Sequence, residues 1–204
     1  MNDPASVVAL REEAGVGPVT FWRLLERFGS AEAVLSAPGA HLRGVAGVGV
    51  VLARRIADAA RGIVAVQERL ANLRSLDISP LTAFDPAYPV RLRRLFDAPP
   101  LLYSRGESLP TKPPFIAVVG AHEASPTGVR VATDWARALA GRGAVVVSGL
   151  AAGIDAAGHR GALDTGGFTV AVVGSGLDRI GPLRNLSLAR RIPRSGAILS
   201  EYPP

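Results

Sequence analysis

The chain has 204 residues, with 23 Lys and Arg against 17 Asp and Glu and a formal net charge of +6. Hydrophobic residues make up 48% and mean hydropathy is +0.26, which excludes a wholly disordered polyelectrolyte and suits one α/β domain with a small appendage. There is no cysteine, which excludes disulfides and thiolate metal centres and fits a reducing compartment.

Of the basic residues only Lys112 is lysine. Arginine grips phosphate bidentately and stacks on bases, so a polyanion such as nucleic acid is a fitting partner. A codon bias towards arginine accounts for the Arg/Lys ratio equally well. The opening Met1-Asn2-Asp3-Pro4 lacks the basic and apolar regions of a signal peptide. No apolar run approaches the roughly 20 residues of a membrane span. The expected partner list therefore excludes a membrane, and the expected location is cytoplasmic.

The first 60 residues contain a repeat offset by 32 positions. Leu10 matches Leu42, Ala14 matches Ala46, Gly15-Val16-Gly17 matches Gly47-Val48-Gly49, and Arg23-Leu24 matches Arg55-Ile56. Apolar residues at helical spacing around a glycine hairpin make a helix–hairpin–helix unit. Two units predict a small all-α, SAM-like domain over residues 1–62. Such a hairpin either presents N–H groups to DNA phosphate, helped by Arg43, Arg54 and Arg55, or is a tight turn that packs two helices. A helix over Ile63–Arg74, a short strand over Ile78–Phe84 and proline-rich breaks follow. They predict a connecting segment over residues 63–112.

Residues 113–204 alternate strand and helix. A buried strand is expected at Phe115–Val119, and further strands at Ala144–Val147, Phe168–Val173 and Ala197–Leu199. Helices are expected at Thr127–Gly141, Asp155–Asp164 and Leu186–Ile192, the first burying Ala132, Trp135, Ala136 and Leu139. Unbroken apolar strands separated by helices predict a Rossmann-like parallel sheet covered on both faces. Ligands of such sheets sit at the carboxyl ends of the strands.

Three small-residue loops fall at those ends: Gly120 to Ser125 with His122, Ser148 to Gly153, and Gly174-Ser175-Gly176. The second runs from an apolar strand straight into a helix, where N–H groups lack helical partners and attract anions. Together the loops suit a phosphate backbone or a nucleotide. There is neither a G-x-G-x-x-G fingerprint nor a P-loop. Asp155 and His159 lie four apart on one helix face. They read as an acid/base pair or, more simply, as stabilisation of a helix start by an acidic residue. No nucleophile elbow or metal-ligand set is visible, so no catalytic residue, metal or cofactor is predicted. His41 reads as a surface residue.

The motifs also come in a telling order: Tyr88-Pro89-x-x-Leu92, Asp97-x-Pro99-Pro100-x-Leu102-Tyr103-x-x-Gly106, Val118-Val119-Gly120 and Ala124-Ser125-x-x-Gly128. Then come Ser148-Gly149-Leu150-Ala151-x-Gly153-Ile154-Asp155-x-x-x-His159-x-x-Ala162-Leu163, Gly176-Leu177-Asp178 and Ser200-Glu201. This series resembles the DNA-processing protein A (DprA, or Smf) family over nearly the whole chain. The resemblance implies an extended Rossmann fold in a cytoplasmic, non-enzymatic protein. Such a protein binds single-stranded DNA, protects it during natural transformation and loads the RecA recombinase. It implies a DNA pocket at the strand-end rim, with Gly120, His122, Ser125, Ser148, Gly149, Leu150, Ala151, Gly153, Asp155, His159, Gly174 and Gly176 as its residues.

Three departures stand out. The family's Gly-Ser-Arg after the first strand is here Gly120-Ala121-His122, and an ordinary histidine is mostly neutral at pH 7. The family's Tyr-Pro after Gly-x-Asp is replaced by Ile180-Gly181-Pro182. The family also continues beyond Tyr202-Pro203-Pro204 with an F-P-x-R-N-R segment and the strands and helices that carry its dimer and RecA surfaces. The resemblance thus implies a member shortened at the C-terminus, with an exposed sheet edge. The resemblance implies a homodimer, though the usual dimer surface is missing from this sequence. The alternatives are an inactive remnant and a Rossmann-type nucleotide-processing hydrolase, whose P-G-G-x-G-T-x-x-E signature is absent.

Overall fold

The computed structural model describes residues 2–180 and 185–204. It divides into two compact units, Met1–Leu102 and Tyr103–Pro204.

The first unit opens with α1 (Pro4–Val8), capped by Asp3, whose carboxylate accepts from Ser6 N. Helices α2 (Pro18–Phe28), α3 (Ala31–Ser36), α4 (Gly39–Leu42) and α5 (Val50–Arg61) follow. The 32-residue repeat is visible in their geometry. Gly17 caps α2 and Gly49 caps α5, while Gly15 and Gly47 turn the hairpins with φ of 70° and 93°. Val7, Leu10, Phe21, Leu24, Val34, Leu42 and Ile56 are fully buried. Helix α6 (Ile63–Leu73) is tied back by Arg69, which bridges Glu12 and Glu13. Strand β1 (Ser79–Thr82) and α7 (Val90–Arg93) complete the unit. Trp22 Nε1 donates to Ala98 O at 2.8 Å and Tyr88 Oη to Pro99 O at 2.7 Å. The residues from 79 to 102 therefore pack into this unit through part-buried polar contacts.

The second unit is built on strands β2 (Leu101–Gly106), β3 (Phe115–Ala117), β4 (Val145–Ser148), β5 (Thr169–Val173) and β6 (Gly196–Ser200). Within this unit the strand order is β2-β6-β5-β4-β3. The run β3-β4-β5-β6 is parallel, as a Rossmann-like sheet requires. Strand β2 adds antiparallel, with Tyr103 opposite Ser200. The sheet is thus mixed, and β2 is a strand that the apolar pattern alone did not reveal. Helices α8 (Pro126–Ala140), α9 (Ile154–Leu163) and α10 (Leu186–Arg191) connect the parallel strands.

Two expectations are corrected. Phe115–Val119 is not a buried strand: β3 ends at Ala117, its residues are half-buried or exposed, and Val119 is 70% exposed. The reason is topological, since β3 pairs with β4 alone and forms an edge. Trp135 is not on the buried face of α8 but is 68% exposed. The buried stripe is Ala132, Ala136 and Ala140. Helices α8 and α9 approach so closely that a Cβ on Gly161 would lie 2.2 Å from Thr133 O, leaving no room there for an indole. Ala136, Ala140, Val146 and Ala162 form the core beneath them.

Candidate nucleic-acid interface

The loop from β4 into α9 is held in a strained, preorganised shape. Leu150 has φ 61°, a region costly for a residue with a Cβ, yet its side chain is buried. Buried Asn185 secures it by donating from Nδ2 to Leu150 O at 2.9 Å. Gly153 caps α9 with φ 73°. A Cβ there would sit 2.2 Å from Ala121 O and 2.6 Å from His122 O. Only glycine lets the loop after β3 close against the start of α9, and Ile154 N donates across this contact to Ala121 O.

The buried carboxylate of Asp155 supports the same loop. Its Oδ2 accepts from Gly149 N at 3.2 Å and from Ala151 N at 3.4 Å. These two N–H groups therefore serve the fold, and the anion-receptive donors are others. In the first turn of α9, Ile154 N is spent on Ala121 O and Ala157 N on Gly153 O. The N–H groups of Asp155 and Ala156 have no backbone acceptor among the described residues. They carry the positive end of the helix dipole.

His159 lies deeper, with no exposed surface. Thr169 Oγ1 donates to Val146 O at 2.8 Å, so it accepts from His159 Nδ1–H at 2.7 Å. Nε2 is then an acceptor, buried and without a partner among the described residues. Burial pushes the imidazole pKa down to about 4, against a smaller opposing pull from the Asp155 charge. At neutral pH the ring is an uncharged brace between α9 and the sheet. Ser148 acts similarly, its Oγ donating to Val118 O at 2.6 Å.

Above this frame lies an open cleft of about 370 Å³, lined by His122, Glu123, Gly153, Ala156, Arg160 and Asn185 among others. His122, Glu123 and Arg160 are exposed. Ser125 stands beside it as the cap of α8, accepting from Gly128 N. The residues expected from sequence thus divide into three groups. His122 and Gly153 line the cleft, with Gly120 packed on Ile154 beneath it. Ser148, Leu150, Asp155 and His159 are buried behind it, with Gly149 and Ala151 bound to the Asp155 carboxylate. Gly174 and Gly176 do not line the cleft. Their loop meets the end of β6, where Ser200 Oγ donates to Ser175 O and Pro203 O crowds Gly176. Gly181 and Pro182, at the departure noted above, lie outside the described residues. Sequence reasoning missed Arg160, Glu123 and Asn185. Arg160 was within reach, being four residues beyond Ala156 on one helix face.

Among the described residues no cluster of His, Asp and Glu is suited to a metal ion, and no helix is long and apolar enough to cross a membrane.

Comparison with known proteins agrees with this architecture. The family model for DNA recombination-mediator protein A matches residues 79–204, and that for the DprA-like N-terminal HHH domain matches residues 9–59. Protein Smf of Synechocystis is 34% identical over 99% of this chain and 52% of its own length. The DNA processing protein DprA of Streptococcus pneumoniae is 42% identical over 59% of this chain and 42% of its own. The chain thus spans about half the length of these relatives. An X-ray structure of DprA from Streptococcus pneumoniae superposes with a TM-score of 0.81 at 27% identity, over 99% of this chain and 68% of that one. A Helicobacter pylori DNA processing protein A, described for its single-stranded DNA binding mode, gives a TM-score of 0.52 at 33% identity over 62% of this chain and 56% of its own. With both matched regions and the strand-end loops in agreement, the chain belongs to the DNA recombination-mediator protein A (DprA/Smf) family.

Proposed function

We propose that this chain carries the single-stranded-DNA-binding part of a DNA recombination mediator, acting in the cytoplasm on DNA taken up during natural transformation. The cleft at the start of α9 carries the reading. It combines backbone donors at a positive helix end, small side chains that admit a phosphodiester chain, and, among the described residues, the guanidinium of Arg160. The relatives' names, and the single-stranded DNA binding described for the Helicobacter pylori protein, support the same ligand. Of the residues expected at the DNA, His122 and Gly153 are assigned to contact. Asp155, His159 and Ser148 are assigned to holding the loop in shape. Loading of RecA and protection of the bound strand follow as the proposed role of the whole protein, which works without catalysis.

The test is binding of labelled oligothymidine across a salt series. The expected result is affinity that falls with salt at a log–log slope set by the phosphates neutralised. Absence of binding at low salt refutes the proposal. So does base release from nucleoside monophosphates that is lost in Asp155→Asn, which would make the chain a hydrolase.

A further inference from the structure

A cleft that holds a phosphate chain needs a permanent positive charge. Arg160 is the only Arg or Lys among the described residues that line it. Arg160 stands one turn beyond Ala156 on α9, and its side chain is exposed. It forms no ion pair with Glu123 or any other carboxylate of the described residues. Arg137 on α8 is held by Asp134 and Asp164. No Phe, Tyr or Trp lines the cleft among the described residues, so large aromatic platforms for bases are absent from that lining and the phosphate backbone is the main group to grip.

We propose that Arg160 is the phosphate-binding cation of this cleft. This rests on the reading of the cleft as a single-stranded DNA site. The fork of the guanidinium holds two oxygens of one phosphate, while the N–H groups at the start of α9 meet the next. Binding is therefore blind to base sequence. A merely structural Arg160 would favour the C-terminal end of the α9 dipole and leave DNA affinity untouched.

The experiment measures anisotropy of a labelled 20-mer of thymidylate against the full chain from low to high NaCl. Arg160→Gln is expected to bind on the order of tenfold more weakly at low salt. The log–log salt slope should flatten by about 0.7, the value for one phosphate of a single strand. Arg160→Lys restores the slope, because one cation is again present. Arg142→Gln, beyond the far end of α8, leaves the slope unchanged. Since Arg160 is exposed, a thermal melt equal to wild type verifies the fold of the variant. If wild type binds and Arg160→Gln keeps its affinity and slope, this assignment is overturned while the function stands. If wild type shows no salt-sensitive binding, the function itself fails and takes the assignment with it.

Discussion

Protonating His159 places a cation in a site built for a neutral ring, and the cost can be worked from the structure. The native ring donates through Nδ1 to Thr169 and leaves Nε2 buried with no partner among the described residues. A second proton would have nothing to donate to, and burial holds the native pKa at about 4 against an ordinary 6.5. The unfolded chain takes up this proton as pH falls through about 6.5, whereas the folded chain refuses it until about pH 4. Stability from this group is therefore complete above about pH 6.5 and is lost progressively as pH falls towards 4. At about 1.4 kcal/mol per pH unit of separation, the loss is about 2 kcal/mol at pH 5 and about 3 kcal/mol once both states are protonated. His159→Gln has no such proton. Urea unfolding at pH 7.5 and pH 5.0 should thus show wild type losing about 2 kcal/mol more than His159→Gln. Only three histidines are present, so the His159 imidazole resonance can be assigned by its absence from the variant and titrated directly. Equal losses for the two proteins, or a His159 resonance that titrates near pH 6.5, would refute the buried neutral brace.

Two further outcomes follow from the same region. Gly161→Ala places a Cβ 2.2 Å from Thr133 O; it should lower stability by about 1–3 kcal/mol in thermal melts by forcing α8 and α9 apart. In Asp155→Asn, the carboxylate that holds Gly149 and Ala151 N–H is gone. Stability should fall by about 1–3 kcal/mol, and the His159 pKa, read by NMR, should drop below its wild-type value because the Asp155 charge no longer raises it.

Much of the fold was legible because it is written in local terms. A glycine hairpin needs positive φ wherever it occurs, so Gly15 and Gly47 announced the repeat that caps α2 and α5. The helix expected from Thr127 starts at Pro126, capped by Ser125. The order of strands and helices over residues 113–204 followed from apolar runs and their spacing. Burial was harder. Trp135 belongs to the apolar residues of α8 by composition, yet only alanines fit where α9 comes closest. Phe115–Ala117 looks like a central strand by composition, yet its place in the strand order leaves it at an edge.

The candidate site divides along the same line. By itself the sequence determined that a small-residue loop leads from a strand into a helix, that Asp155 and His159 share one face of that helix, and that His122 stands in the small-residue loop Gly120 to Ser125. These are properties of neighbours in the chain. Tertiary structure decided which N–H groups remain for a ligand, because Asp155 captures two of them from behind the loop. It decided that His159 braces the sheet, because Thr169 on β5 lies within 2.7 Å of its ring. It also decided that Arg160 faces the cleft with His122 while Gly174 and Gly176 turn to the end of β6. Strand order and helix packing set those distances, and they depend on contacts between residues far apart in the chain that no local pattern encodes.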